Sequence, residues 1–439
     1  MKSVTKYLSL LLGILLLPLL VSCSTAGSSE APTPDLQATA TVSSEASPEA
    51  VASYFQDAAL EEAIRAAIQK PSGELTREDF ESVKEFSYTG SATAPLTSLS
   101  GIEQLVNLET LTIQNAGLTD IGALGGLKNL KSLALRSNRI QSLSPLSGLA
   151  RLETLDLIHN LVTDVGPLSG LQNLTELYLD FNQISDLSPL SGLTKLTKLG
   201  FTDNKVSDIQ FVSALTDMQC LYMSGNYSIQ DYSPITELKS IRRISVDFFD
   251  QESIALLESF PALYSATFFG TEVIPAQNEL TPNLTAYYEL LDEADKVLAS
   301  VVKADMTDYE KEYAIYSYIV DNVAYGNIEG DQDGSTYSAR GALICKKCVC
   351  MGFSHALCLL MNKAGIQCIS INDNADHAWN IVKLDDGYYH VDASRASMKH
   401  AKDRYFNMTD EVASQDREWN TACYPACTGT EYAGVPSGN

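Results

Sequence analysis

The chain has 439 residues, 45% of them apolar, which is more than one ordinary core accommodates and predicts two or three domains. Its 55 acidic and 30 basic residues leave a formal charge of -25, which argues against nucleic acid as a partner, because neutralising phosphates takes basic patches. Acidity alone suits a soluble surface in a cell envelope and names no function.

At the N-terminus, Lys2 and Lys6 form a short basic region, and "YLSLLLGILLLPLL" follows. The apolar run is short and Pro18 interrupts it, as in a secretory signal rather than a resident spanning helix. It ends in "LVSC", which resembles a bacterial lipobox. That resemblance implies a signal peptide over 1–22, lipidation of Cys23 and an extracytoplasmic, lipid-anchored place on the bacterial cell surface. The plainer alternative is an ordinary signal peptide with a chance cysteine. Residues 24–52, rich in Ser, Thr, Ala, Pro and Glu, follow as a tether with almost nothing to build a core.

Residues 53–104 carry helical spacing at Leu60, Ile64 and Ile68, a turn at Pro71–Gly73 and a second short helix. They resemble the helical cap and first degenerate repeat of internalin-like surface proteins. From Leu105 the chain copies itself: Leu105, Leu127, Leu149, Leu171, Leu193 and Leu215 are 22 apart, and Asn138, Asn160, Asn182, Asn204 and Asn226 hold another column. The pattern identifies leucine-rich repeats over 105–265. Apolar columns point into the solenoid, and each Asn turns inward to bond neighbouring backbone. Arg136, Asp156, Glu176, Tyr178, Asp180, Lys198 and Tyr222 stand at outward strand positions, a candidate concave face for a protein partner. A merely solvated face is the alternative.

A connector is expected over 266–283 and a last domain over 284–439. Helical patterns occupy 284–303 and 307–323, the second with a capping Thr307 and Glu310. Then comes "CKKCVCMGFSH", residues 345–355. The apolar stripe Phe353, Leu357, Leu360 and Ala364 predicts a helix stopped by Gly365, with Cys350 at or just before its start. The positive helix end favours a negative sulfur there and makes Cys350 the candidate nucleophile. "AWNIVKL" and "YYHVDAS" around "DDG" predict a hairpin. With residues 385–386 as its turn, Asp392 lies opposite Trp379 and diagonal to His377. A three-residue turn would separate them.

"VCMGFSHA", "HAWNIV" and "YYHVDAS", in that order, resemble the three blocks of the transglutaminase-like family of papain-like cysteine hydrolases and transferases. The resemblance implies an α+β domain after the solenoid, an α/β multidomain chain overall. It further implies Cys350 as nucleophile, His377 as base and Asp392 as orienting acid, with Trp379, Tyr325 and Tyr337 beside the substrate. Two positions depart from the family's pattern: Cys348, where a small residue is usual, and Ser394–Arg395, where Thr-Trp is usual. Neither is expected to touch the trio.

The expected chemistry is attack on a protein or peptide amide, resolved by an amine or by water: crosslinking, deamidation or proteolysis. The competing reading is a non-catalytic binding or adhesion lipoprotein that uses the repeat face. Cys345 with Cys348, and Cys423 with Cys427, admit zinc or disulfides, but no metal site is assigned. No cofactor is expected, with calcium left open. "EGDQDG" (329–334) opens like a calcium loop, yet Arg340 occupies the closing acidic position. His355 and His390 are expected to be structural.

Overall fold

The computed structural model describes residues 54–91, 95–273, 284–331, 334–372, 377–419, 421 and 424–434. The expected signal segment, Cys23, the expected tether, Cys423 and most of the expected connector lie outside the described residues.

Helix α1 (Ala58–Ala67) starts at Asp57, whose side chain accepts from Ala59 N and Leu60 N and reaches across to Thr97 N at 2.7 Å. Helix α2 (Arg77–Ser82) opens with a capping box from Thr76 and Asp79. Strands β1 (Glu85–Thr89), β2 (Thr110–Gln114), β3 (Ser132–Ala134), β4 (Thr154–Asp156), β5 (Glu176–Tyr178), β6 (Lys198–Gly200), β7 (Cys220–Tyr222), β8 (Arg243–Ser245) and β9 (Ser265–Phe268) pair in parallel, in chain order. The ribbon therefore begins within the capping region, before the first clear repeat. It also runs slightly past 265, with β10 (Thr271–Val273) folding back antiparallel on β9. Helix α3 (Gln251–Ala255) precedes β9.

The leucine columns are buried and form one continuous core. Each ladder asparagine ties two repeats together. Asn182 accepts from Val162 N at 2.9 Å and donates to Leu157 O and Leu179 O at 3.0 Å. These backbone groups are buried at the bend and have no water to turn to. Asn182→Ala is expected to lower stability by about 3 kcal/mol, read as a shifted urea midpoint at unchanged slope. A loss below about 1 kcal/mol would remove the ladder as a stabilising device.

The last domain begins with α4 (Thr285–Val301) and α5 (Asp308–Asn322), the latter with the Thr307–Glu310 capping box. Next come β11 (Ala324–Tyr325), α6 (Ala339–Leu343) and β12 (Lys347–Cys348), with β11 and β12 paired in parallel. Then follow α7 (Cys350–Lys363), the antiparallel strands β13 (Cys368–Asn372), β14 (Ala378–Leu384) and β15 (Gly387–Val391), then α8 (Ala393–Lys399) and α9 (Asp410–Ala413). Helix α7 packs against β13 and β14 and is buried along most of its length.

This domain closes the open end of the solenoid. Tyr287 of α4 is fully buried, its ring stacked on Phe268 at 3.9 Å, and its hydroxyl donates to Phe248 O at 2.5 Å. Lys363 Nζ, at the end of α7, donates to Phe249 O at 2.7 Å, and Ala339 N donates to Phe269 O at 3.0 Å. Gly270 sits at φ +75, and a Cβ there would stand 2.5 Å from His355 Nδ1. Only glycine fits that approach. Part of the expected connector, up to Val273, is thus solenoid strand rather than linker.

Candidate active site

Cys350 is the first residue of α7, with Val349 as N-cap in extended conformation. Its neighbour Gly352 has no Cβ because Cys348 lies where one would go, 2.6 Å from that point. Cys348 is wholly buried, so a small thiol fills the space where the family takes a smaller residue. Cys345 is exposed, and Cys345, Cys348, Cys350 and Cys427 are all free thiols.

The hairpin of β14 and β15 turns on Asp385–Asp386, with Leu384 opposite Gly387 and Asn380 opposite Val391. Continuing that register sets Trp379 opposite Asp392, which brings Asp392 diagonal to His377. His377 Nε2 lies 2.8 Å from Asp392 Oδ2, and the imidazole is also hydrogen-bonded to Cys350. With Nε2 engaged by the carboxylate, Nδ1 is the atom left for the sulfur. Burial opposes charge on His377, but the hydrogen bonds to Asp392 and Cys350 outweigh it and raise its pKa to about 9. That direction favours a protonated ring facing the Cys350 sulfur.

Asp392 is buried and serves as N-cap of α8. Its Oδ1 accepts from Arg395 N and Ser394 Oγ, both at 2.9 Å; its Oδ2 accepts from His377 and from Arg417 Nη1, the latter at 2.8 Å. Burial works against ionisation, yet the bond and charge of His377 and the guanidinium of Arg417 hold the carboxyl below its ordinary range. Ser394 thus touches the trio directly, against the expectation from sequence. An N-cap side chain folds back over the first helical turn, and Ser394 stands in that turn. Arg417 has no counterpart in the sequence reading. It lies 25 residues beyond Asp392, outside any repeating pattern, and only its burial and pairing reveal it.

Trp379 is 1% exposed, too buried to stand directly beside a substrate. It backs the imidazole, its ring near-parallel to that of His377 with centroids 5.6 Å apart. Trp379 Nε1 in turn donates to His390 Nδ1 at 3.0 Å. Tyr325 and Tyr337 are 39% and 45% exposed. Tyr325 pairs with Cys348 across β11 and β12, and its ring lies 6.2 Å from Phe353 of α7. Tyr337 offers its carbonyl to His355 Nδ1 at 3.0 Å. Both rings therefore come from segments beside the start of α7. Asp331, in the calcium-like loop, caps Ser335 N and Thr336 N.

His390, Asp410 and Cys427 bring donor atoms within 4.8 Å of one another. They do not suit a metal. Trp379 gives its proton to Nδ1, so the neutral ring carries its own on Nε2, facing Asp410 Oδ1 at 2.8 Å. A metal on Nε2 would require an imidazolate. Burial, opposing positive charge, lowers the pKa of His390, and burial pushes the Cys427 thiol well up. The cluster is a hydrogen-bonded prop that runs from Asp410 through His390 to Trp379.

On the repeats, the seven outward residues do share one face, but much of their charge is spent within it. Arg136 pairs with Asp156 at 2.7 Å and Lys198 with Glu176 at 2.8 Å, each across adjacent repeats. Tyr178 and Asp180 are buried. Tyr178 donates to Glu176 at 2.9 Å, and Asp180 accepts from Thr202 N at 2.9 Å against Gly200. Tyr222 stays half-buried.

Residues 295–393 match the model of the transglutaminase-like superfamily. Residues 106–148, 128–170 and 150–192 match that of the leucine-rich repeats, in two copies each. The chain thus combines leucine-rich repeats with a transglutaminase-like core domain. Among solved structures it is similar to an internalin, InlF, from Listeria monocytogenes: 33% identity, TM-score 0.45, over 49% of this chain and 63% of that one. The chain therefore spans less than two thirds of that internalin. It is also similar to internalin C2 of the same organism: 31% identity, TM-score 0.44, over 49% of this chain and 94% of that one. No curated protein matches it.

Proposed function

We propose that the protein is a cysteine-dependent acyl-transfer enzyme acting on protein or peptide amides, with the repeats binding a protein and positioning the catalytic domain. The observation that carries this reading is the hydrogen-bonded row of Cys350, His377 and Asp392 at the N-terminus of a buried helix. The Cys350 sulfur attacks the amide carbonyl carbon. His377 passes its proton to the leaving nitrogen, and a thioester forms as ammonia or an amine departs. His377 then takes a proton from the incoming amine or water, and the acyl group leaves the sulfur. Asp392 keeps the ring in one tautomer and supports its positive charge throughout. The lipobox-like "LVSC" supports a place outside the cytoplasm, held at a membrane by Cys23.

The test is mass spectrometry of a glutamine-containing peptide incubated with the protein, with and without a primary amine, beside Cys350→Ala. Amine gain with loss of ammonia means crosslinking, a rise of about one dalton means deamidation, and cleavage means proteolysis; each should vanish in the variant. If no peptide is modified and native Cys350 alkylates no faster than Cys345, the acyl-transfer reading fails.

A further inference from the structure

Arg417 is buried, its side chain wholly removed from solvent. Its guanidinium lies over the rings of Trp379 and Tyr405, at 5.1 and 5.6 Å from their centroids. Nη1 donates to Asp392 Oδ2 and Nε donates to Asp416 Oδ1 at 3.0 Å, while the buried Nη2 finds no acceptor among the described residues. A buried ion pair is weak evidence for stability, because desolvation of both charges offsets their attraction. Leaving a donor unsatisfied costs more. Such an arrangement is better explained by what it does to Asp392 than by what it adds to the fold.

Two cations share Oδ2 of Asp392: His377 on one side and Arg417 on the other, both at 2.8 Å. Arg395 adds a third charge, with Nε at 3.8 Å from Oδ2. Asp416 balances these arginines. It pairs with Arg417 at 3.0 Å and Arg395 at 3.1 Å, more loosely with Arg404 at 3.9 Å, and accepts from Tyr405. His377 faces Cys350 from α7 and Asp392; Arg395 from α8 and Arg417 from the segment after α9 reach it through the Asp392 carboxylate, and Asp416 through those two arginines. Tyr316 of α5 lies within electrostatic reach of Asp392. His390 and Asp410 sit behind Trp379.

We propose that Arg417 is a positioning residue of the Cys350–His377–Asp392 trio, which pins the Asp392 carboxylate and, by sharing its charge, limits how strongly His377 is held as imidazolium. An aspartate facing the imidazolium alone holds its proton more firmly than one whose charge is shared. An arginine on the same oxygen draws off part of that attraction while keeping the carboxylate in place. The inference rests on the catalytic reading of the trio, but its test does not require any substrate to turn over.

The experiment is NMR titration of the imidazoles of the full chain, with His377 assigned by His377→Ala. Arg417→Gln should raise the His377 midpoint by about one pH unit, and Arg417→Lys should return it close to the wild-type value. Asp416→Asn should act in the opposite direction, because it leaves the arginines uncompensated beside Asp392; Asp416 is partly exposed, so this variant tests the idea even if Arg417→Gln does not fold. A folded Arg417→Gln with an unmoved midpoint, or an Asp416→Asn midpoint that stays or rises, would overturn the proposal.

Discussion

Replacing His377 by Ala is expected to cut turnover by about a thousandfold or more and to return Cys350 to ordinary thiol behaviour. Iodoacetamide labelling at neutral pH, followed by peptide mapping, measures this within one molecule, since exposed Cys345 serves as the internal reference. In the wild type Cys350 should label well ahead of Cys345 despite being only 8% exposed; in the variant that order should be lost. The pH profile follows from the raised pKa of His377. Its proton is held below about 9 and lost above, so kcat should fall as pH rises through that value. The same shift bears on stability. A group raised from 6.5 to about 9 by folding contributes fully below 6.5, and that contribution is lost as pH rises through 9. The stability margin of wild type over His377→Ala should therefore shrink across that window. A margin that grows with pH would mean that His377 is neutral in the folded protein.

The second large effect concerns the junction. Tyr287→Ala should destabilise the protein by about 3–5 kcal/mol, because it removes a fully buried ring from Phe268 and leaves the Phe248 carbonyl without its donor. Calorimetry should show a single unfolding transition in wild type and two in the variant, since α4 is one of the elements that seal the last repeat. Tyr287→Phe separates the two contributions: it keeps the ring and should lose only about 1–2 kcal/mol. If Tyr287→Ala unfolds at the wild-type temperature, the junction does not couple the solenoid and the transglutaminase-like domain. The consequence for function is mechanical. Helix α7 carries Cys350 at its start and, at Lys363, grips the Phe249 carbonyl of the solenoid. On the proposed function, a partner bound by the repeats would be held at a fixed place relative to Cys350, because α7 is tied to the last repeat.

Legibility differed between the parts of the molecule for definite reasons. A solenoid repeats its environment, so the 22-residue column of leucines and the asparagine ladder carry their meaning in spacing alone, and the buried core matches those columns. The trio was legible because each member is marked by a local device: Cys350 by a helix start, His377 and Asp392 by a hairpin whose two-residue turn decides which side chains share a face. What spacing could not express was anything settled by contact between distant segments. Arg417 follows no period, and its partner Asp392 is singled out only after α8, α9 and the last segment fold over one another. Outward charges on the repeats read as free in one dimension, yet adjacent repeats bring Arg136 to Asp156 and Lys198 to Glu176.

The amino-acid order by itself determined the repeats, the helix that starts at Cys350 and the hairpin that carries His377 and Asp392, because periodicity, capping and turn length are local properties. Only the tertiary structure decided that Trp379 stands behind the imidazole, that His390 links Asp410 to Trp379, and that Arg417 shares the oxygen on which His377 depends. Each of those depends on which buried group reaches a given hydrogen-bonding atom, and such competition exists only once the chain has closed around it.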